Sequence, residues 1–331
     1  MAGAGQCQSL SDTDADDECR GGLPFQPEFS IRPTESDEFF AKFGFAAGNG
    51  LNEASPFVIA PWAADLEDDV KNINGRNRDY LLTVWYKHTA SFSAENHLGA
   101  TFGIIDATDY LDDNAYSNDE YTQFMNGALV NGPHVFLPSY DAGAVAEWDV
   151  GAWSFRGVYM NVGENDDGNN YNFWGVQGGY TVETDLGEGT YRILIDGTSA
   201  AFLDPDGTSK EKLGALNLSF DQELGDVLGA FIRFGWQKDD AAADYDALYS
   251  GGLNILGTPW GREDDNIGLG YAYLNGGNLD VNNSHVGEAY YRAVIGEYFA
   301  VTADIQYMRD KNKEGDSPKG WIFGLRAAAE F

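Results

Sequence analysis

The feature that most constrains this chain is a period-two alternation of apolar and polar side chains, restored about every 25 residues along most of its length. At the C-terminus, Trp321, Phe323, Leu325, Ala327, Ala329 and Phe331 share one face of an extended segment. Gly324, Arg326, Ala328 and Glu330, with Ile322, share the other. Successive Cβ atoms of a strand point to opposite faces, so this is a strand with a greasy side and a charged side. Phe299, Val301, Ala303, Ile305 and Tyr307 alternate in the same way with Thr302, Asp304 and Gln306. Leu228, Ala230, Ile232, Phe234 and Trp236 alternate with Arg233, Gly235 and Gln237.

The same template picks out about fourteen segments. They are 38–47, 80–91, 98–106, 142–149, 152–163, 171–182, 189–197, 213–222, 227–238, 246–257, 265–275, 284–295, 299–309 and 319–331. Most run about ten residues, the length a tilted strand needs to cross a bilayer. The links between them alternate in length. A long polar link, DKNKEGDSPK, precedes the last segment, and a short one, Gly296 to Tyr298, precedes the segment before it. Short turns at one end and long loops at the other, with an even strand count, describe an all-β, antiparallel transmembrane barrel. A soluble β-sandwich would have to bury the mid-strand Arg, Asp and Glu or lack a core on that side, and a water-filled interior avoids that cost.

Composition agrees with many short strands: 41 Gly with 20 Phe, 18 Tyr and 8 Trp. The 53 acidic against 20 basic residues, a net charge of −33, exclude nucleic acid as a partner and a basic membrane-surface patch. No apolar run is long enough for a transmembrane helix. The start, MAGAGQCQSL, lacks the charged and apolar regions of a signal peptide and reads as mature sequence behind an added Met. Residues 1–36 are polar and acidic, and we expect them to form a periplasmic extension ahead of a barrel over 37–331. The cysteines of the chain, Cys7 and Cys19, lie in that segment, where a local disulfide is the first expectation for an exported protein. A thiolate metal pair would find no His or further Cys nearby.

Four blocks carry a resemblance. They are FGIIDATDYLDDNAYSNDEYTQFMNGALVN at 102–131, GGLNILGTPWGREDDNIGLGYAYL at 251–274, GEAYYRAVIGEYFAVTADIQYM at 287–308 and the ending GLRAAAEF at 324–331. With these the chain resembles the carbohydrate-selective, OprB-like outer-membrane porins, from roughly Phe39 onward. The resemblance implies an integral outer-membrane barrel, usually of sixteen strands against the fourteen counted, through which sugars and other small solutes diffuse. Porins of this size are often trimers, although no interface is legible in the sequence, and a lipid and lipopolysaccharide surround is expected.

A pore needs a wet constriction rather than a nucleophile. Alternation places Lys87, Arg156, Arg192, Arg233, Arg292, Arg326, Glu288 and Asp304 on the inward face, as pore-lining candidates. The long link 107–141 carries Asp109, Tyr110, Asp112, Asp113, Glu120, Tyr121 and Phe124 and is expected to fold inward as a constriction loop. Its stretch NDEYTQFMN suits one helical turn capped by Asn118 or Asp119. Acidic runs at Glu67–Asp69, Glu164–Asp167, Asp239–Asp240 and Glu263–Asp265 suit divalent cations at the membrane surface, and DPDG at 204–207 is a weak calcium-turn pattern. No cofactor is implied. His88, His97, His134 and His285 are scattered without HExxH spacing, so no enzyme is expected. Three functional readings stay open: a solute-diffusion pore, a cation-selective pore, and a barrel scaffold without transport.

Overall fold

The computed structural model describes residues 1–331. In chain order the strands are β1 (Ala2–Ser11), β2 (Cys19–Phe25), β3 (Glu28–Ile31), β4 (Asp37–Phe43), β5 (Phe45–Ala47), β6 (Leu81–Ser93), β7 (Asn96–Ile105), β8 (Asp141–Val150), β9 (Trp153–Val162) and β10 (Tyr171–Thr184). They continue as β11 (Gly187–Thr198), β12 (Phe202–Leu203), β13 (Lys210–Glu211), β14 (Gly214–Leu224), β15 (Leu228–Gln237), β16 (Tyr245–Leu256), β17 (Asn266–Gly276), β18 (Val281–Val294), β19 (Phe299–Asn312) and β20 (Lys319–Ala329). Eighteen of them form one antiparallel sheet, and β12 with β13 makes a small separate ribbon. The α-helical content is one turn, α1 (Gly127–Val130), and no helix is long and apolar enough to cross a membrane.

From β6 onward each strand of the sheet pairs with the next, as a series of hairpins. The last strand, β20, pairs with the first, from Ala2↔Ala328 to Ser11↔Lys319. The sheet has one face packed against other segments of the chain, called inner below, and one exposed face, called outer. Phe25↔Phe45 and Glu28↔Lys42 fall in one register, so β2–β3 and β4–β5 are the two arms of a single hairpin. Its first arm is interrupted at Pro27, which has no N–H to give a ladder, although the Pro27 carbonyl still accepts from Phe43 N at 3.0 Å.

The N-terminal expectation is corrected. Residues 1–36 do not stand apart from the sheet: β1 fills the place between β20 and β2. Fourteen strands is likewise too few. The alternation of β1 escapes a hydropathy reading because its inner face is Ala2, Ala4, Gln6 and Gln8, all buried, and its outer face includes Gly3 and Gly5. Small residues and amides serve there because the inner face packs against another protein segment, with Gln6 Nε2 donating to Pro61 O at 3.1 Å. Cys7 and Cys19 sit directly opposite each other on β1 and β2 and are joined by a disulfide.

The outer face is a continuous apolar surface. Trp321, Phe323 and Leu325 of β20 are exposed, while Ile322 and Arg326 on its other face are fully buried. Aromatic pairs such as Trp148–Phe155 and Trp153–Tyr180, with ring centroids 5.6 and 4.5 Å apart, gather near the short turns. Part of the inner face is dry. Residues 48–80 and 106–140 cross the interior, and their Leu51, Phe57, Ile59, Phe124 and Leu129 pack against Phe231, Leu248 and Ile322 of the wall. A long link that would cost dearly as an exposed apolar loop is thus paid for by burial inside the sheet.

Candidate functional site: the lumenal constriction

Residues 106–140 leave β7 and return to β8 through a tied neck. Ala107 N donates to Pro138 O at 3.0 Å, and Ser139 Oγ donates to Asp106 Oδ1 at 3.1 Å. Inside, charged groups of the wall hold the segment's backbone. Both carboxylate oxygens of Glu288 accept backbone N–H groups, from Met125 and, at 3.0 Å, from Asn126. Arg326 donates to the carbonyls of Glu120 at 2.7 Å and Gln123 at 2.8 Å. Arg233 Nε donates to Asp112 Oδ1 at 2.9 Å, and its Nη2 reaches the carbonyls of Ser117 and Asp112. Asp119 caps the one-turn stretch that follows, accepting from Tyr121 N at 2.7 Å. Buried charge survives only with such partners.

These contacts sort the sequence candidates. Arg233, Arg326, Glu288 and Asp304 do point inward, but all are buried beneath the inserted segment and do not line an opening. Asp112 and Phe124 are buried too, one in an ion pair and one in the core. Their expected place on the pore surface is corrected, because alternation reports direction and not what lies opposite. Arg192 bridges Asp113 at 3.0 Å and also pairs with Asp221. Arg292 is half-buried beside a cavity of about 430 Å³ that Asp119, Gln123 and Asn266 also line.

A strip of charged side chains on β4, β6, β8 and β9 is less completely covered. Lys87 bridges Glu147 at 2.6 Å, and Arg156 reaches Asp149 at 2.8 Å and Glu147 at 3.8 Å. Gly99 makes that ladder possible, since a Cβ there would lie 3.1 Å from Lys87 Cε and 3.4 Å from Glu147 Oε2. Lys42 of β4 bridges Glu28 at 3.7 Å and lies in the field of Asp109, Asp106 and Asp65. The inserted segments supply the facing side. Asp65 accepts from Gln26 Nε2 at 2.6 Å and from the Tyr140 hydroxyl at 2.5 Å, and Gln26 also donates to the Tyr121 hydroxyl at 3.2 Å. Asp109 and Tyr110 stand next to these groups, and Glu120 behind them.

The acidic side is crowded enough to alter its titration. The Asp109 side chain is exposed to the opening yet surrounded by neighbouring protein groups, and desolvation, with repulsion from the carboxyls of Asp106, Glu28 and Asp65, lifts its carboxyl to about 7 despite Lys42. Desolvation and the neighbouring Asp65 and Asp119 lift Glu120 to about 8. Asp65 is raised chiefly by desolvation, against the Tyr140 hydrogen bond that favours its charged form.

The sequence reading missed Glu28, Lys42, Asp65, Asp106, Glu147 and Tyr140. Lys42 and Glu147 lie at inward positions of the expected segments 38–47 and 142–149, so alternation alone could have found them. Asp65 could not be found that way, although the length of its link, 48–80, was a signal. Some of the acidic loop residues are engaged locally. Both Asp204 oxygens accept from Thr208 and Ser209 of their own turn, and Asp265 is held by Arg262, Tyr291 and Val294 N.

Comparison with known proteins gives consistent neighbours. The model of the carbohydrate-selective porin, OprB family, matches residues 66–331. A protein of Aquifex aeolicus (strain VF5), described only as uncharacterized, is 32% identical over 301 residues, covering 89% of this chain and 84% of its own. Among solved structures, Pseudomonas putida OprB at high pH superposes with a TM-score of 0.78 at 14% identity, over 100% of this chain and 92% of that one. Pseudomonas aeruginosa OccK11 (OpdR) superposes at 0.54 with 10% identity, over 100% of this chain and 95% of the other. At such identities the structural likeness establishes the fold alone.

Proposed function

This chain belongs to the OprB family of carbohydrate-selective porins, and from that premise we propose that it is an outer-membrane channel for passive diffusion of small hydrophilic solutes, sugars among them, past the constriction between Lys42, Lys87 and Glu147 on the wall and Asp65, Asp106 and Asp109 on the inserted segments. We read the sheet as a closed barrel of sixteen spans, with β2–β3 and β4–β5 each counted once. The observation that carries the reading is the division of the interior: one part filled by the inserted segments, the other lined by charged groups. A charged wall opposite a charged loop orients dipolar, hydroxyl-rich solutes without binding them tightly enough to stop flux.

In this reading the protein is not an enzyme and needs no cofactor. Its surround is outer-membrane lipid and lipopolysaccharide, it assembles as a homotrimer, and divalent cations bridge its acidic outer loops to lipopolysaccharide. A second reading, a cation-selective pore, draws on the excess of carboxyls at the constriction, where Glu28, Asp65, Asp106, Asp109 and Glu120 outnumber Lys42 and Lys87.

Planar-bilayer recording with liposome swelling tests both. Step conductances together with sugar-driven swelling are expected. Purified, folded protein that never conducts would sink both readings, and strong cation selectivity without sugar permeation would leave only the second.

A further inference from the structure

The outer face of the sheet carries its basic residues in one place. Of the Lys and Arg side chains on the sheet's strands, Arg309, Lys311 and Lys319 share that face, while the others point inward. Arg309 of β19 lies directly opposite His285 of β18 on one side and Lys319 of β20 on the other. Lys311 is one step further along the same face, opposite Asn283. Like charges placed directly opposite each other destabilise a sheet. The protein does little to offset this row, although its net charge is −33. Lys319 bridges Asp12 at 2.7 Å, but Arg309 and Lys311 are exposed and bridge no carboxylate. His285 meets the Tyr271 hydroxyl through Nδ1 at 2.7 Å, which leaves its Nε2 open.

The height of this row on the sheet indicates what would neutralise it. It lies at the end where the long links 48–80 and 106–140 begin, which is the outer end in the porin reading. One step toward the middle, the cross-strand row on the same face is Tyr271, Gly287, Tyr307 and Trp321. The Tyr307 and Trp321 rings lie 5.0 Å apart. Such aromatic side chains mark the headgroup level of a bilayer, so the cations just beyond them stand at the level of lipid phosphates. Gly287 interrupts the aromatic row. A Cβ there would meet nothing within 4 Å, so a notch opens between Tyr271 and Tyr307, beneath His285 and Arg309. A guanidinium fork matches phosphate oxygens, and the long Arg and Lys stems can lie along apolar surface while their heads reach an anion.

We propose that Arg309, Lys311, Lys319 and His285 bind a phosphate of the outer-leaflet glycolipid, the lipid A portion of lipopolysaccharide, with an acyl chain entering the notch over Gly287. The contact is direct, cation to phosphate, unlike the divalent bridging of acidic loops. It rests on the porin reading only for which end of the sheet faces outward.

The test is binding of diphosphoryl lipid A to the purified, detergent-folded protein in buffer containing EDTA, followed by native mass spectrometry. Dephosphorylated lipid A and inorganic phosphate are the controls. Arg309→Gln/Lys311→Gln should weaken lipid A binding by about tenfold or more, and Gly287→Leu, which closes the notch, should weaken it too. Dephosphorylated lipid A should bind the native protein as poorly as diphosphoryl lipid A binds the double variant. Undiminished binding in Arg309→Gln/Lys311→Gln overturns the site, as does equal binding of the dephosphorylated lipid. Competition by inorganic phosphate at equal concentration overturns the lipid assignment in favour of a small-anion site. Loss of native binding in EDTA overturns the direct contact. Single-channel conductance of the double variant should match the native value, because both positions face away from the lumen. Native protein that conducts but does not bind lipid A fails this inference alone. Protein that binds lipid A through Arg309 and Lys311 but never conducts upholds it and fails the porin reading.

Discussion

Arg233, projecting inward from β15, and Asp112, in the middle of the inserted segment, meet through Nε and Oδ1 at 2.9 Å with both side chains sealed from solvent. Asn217 also donates to Asp112 Oδ1, and Gly132 N donates to its Oδ2 at 2.6 Å. One carboxylate thus ties two points of the segment to two strands of the wall. With Glu288 and Arg326 it fixes which part of the interior is filled and which stays open.

Removing one partner of this pair strands the other in a dry interior. Asp112→Asn, which keeps the shape, should cost about 3–5 kcal/mol and loosen the segment. The expected outcome is a lower thermal midpoint for loss of the sheet signal and a noisier open-channel current. The double variant Asp112→Leu/Arg233→Met should be less damaging than either single change, because no charge is left unpaired. Equal midpoints for Asp112→Asn and the native protein would show that the pair does not anchor the segment.

Ion selectivity should depend on pH through Asp109. Its carboxyl is lifted to about 7, so it is neutral below that and anionic above. Cation preference therefore rises as pH passes upward through about 7, with Glu120 adding a step near 8. Asp109→Asn should remove the first step and hold the channel at its low-pH selectivity. Reversal potentials in a KCl gradient across this range read the effect directly, and a flat profile for the native channel counts against it.

The Cys7–Cys19 bridge closes a short loop between β1 and β2, next to the place where the sheet meets its own first strand. Cys7→Ser/Cys19→Ser, or reduction, should lower stability by about 3 kcal/mol. Conductance should not change, because Cys7 lies on the opposite face of β1 from the inward Gln6 and Gln8. Denaturant unfolding with and without reductant measures the first effect. A changed single-channel conductance in the double variant would contradict the second.

Much of the wall was legible because its code is local. Leu228 to Trp236 and Trp321 to Leu325 declare their outward face by alternation with Arg233 and Arg326, whatever lies elsewhere in the chain. β1 was not legible, since Ala and Gln on one face and Gly, Cys and Ser on the other give no contrast. That composition is tolerated because its inner side touches Pro61 rather than water. An inward fold of 107–141 was an expectation from its length and residue types, and for 48–80 no such expectation was formed.

By itself the sequence determined the spans, their two faces and the alternation of short and long links, since the direction of a side chain on a strand depends only on its position along that strand. Only the tertiary structure decided which inward charges meet a solute. Arg233 and Lys87 occupy equivalent inward positions. One is sealed under Asp112 and the other borders the opening, because burial depends on which distant segment lies opposite, and nothing in the local pattern encodes that.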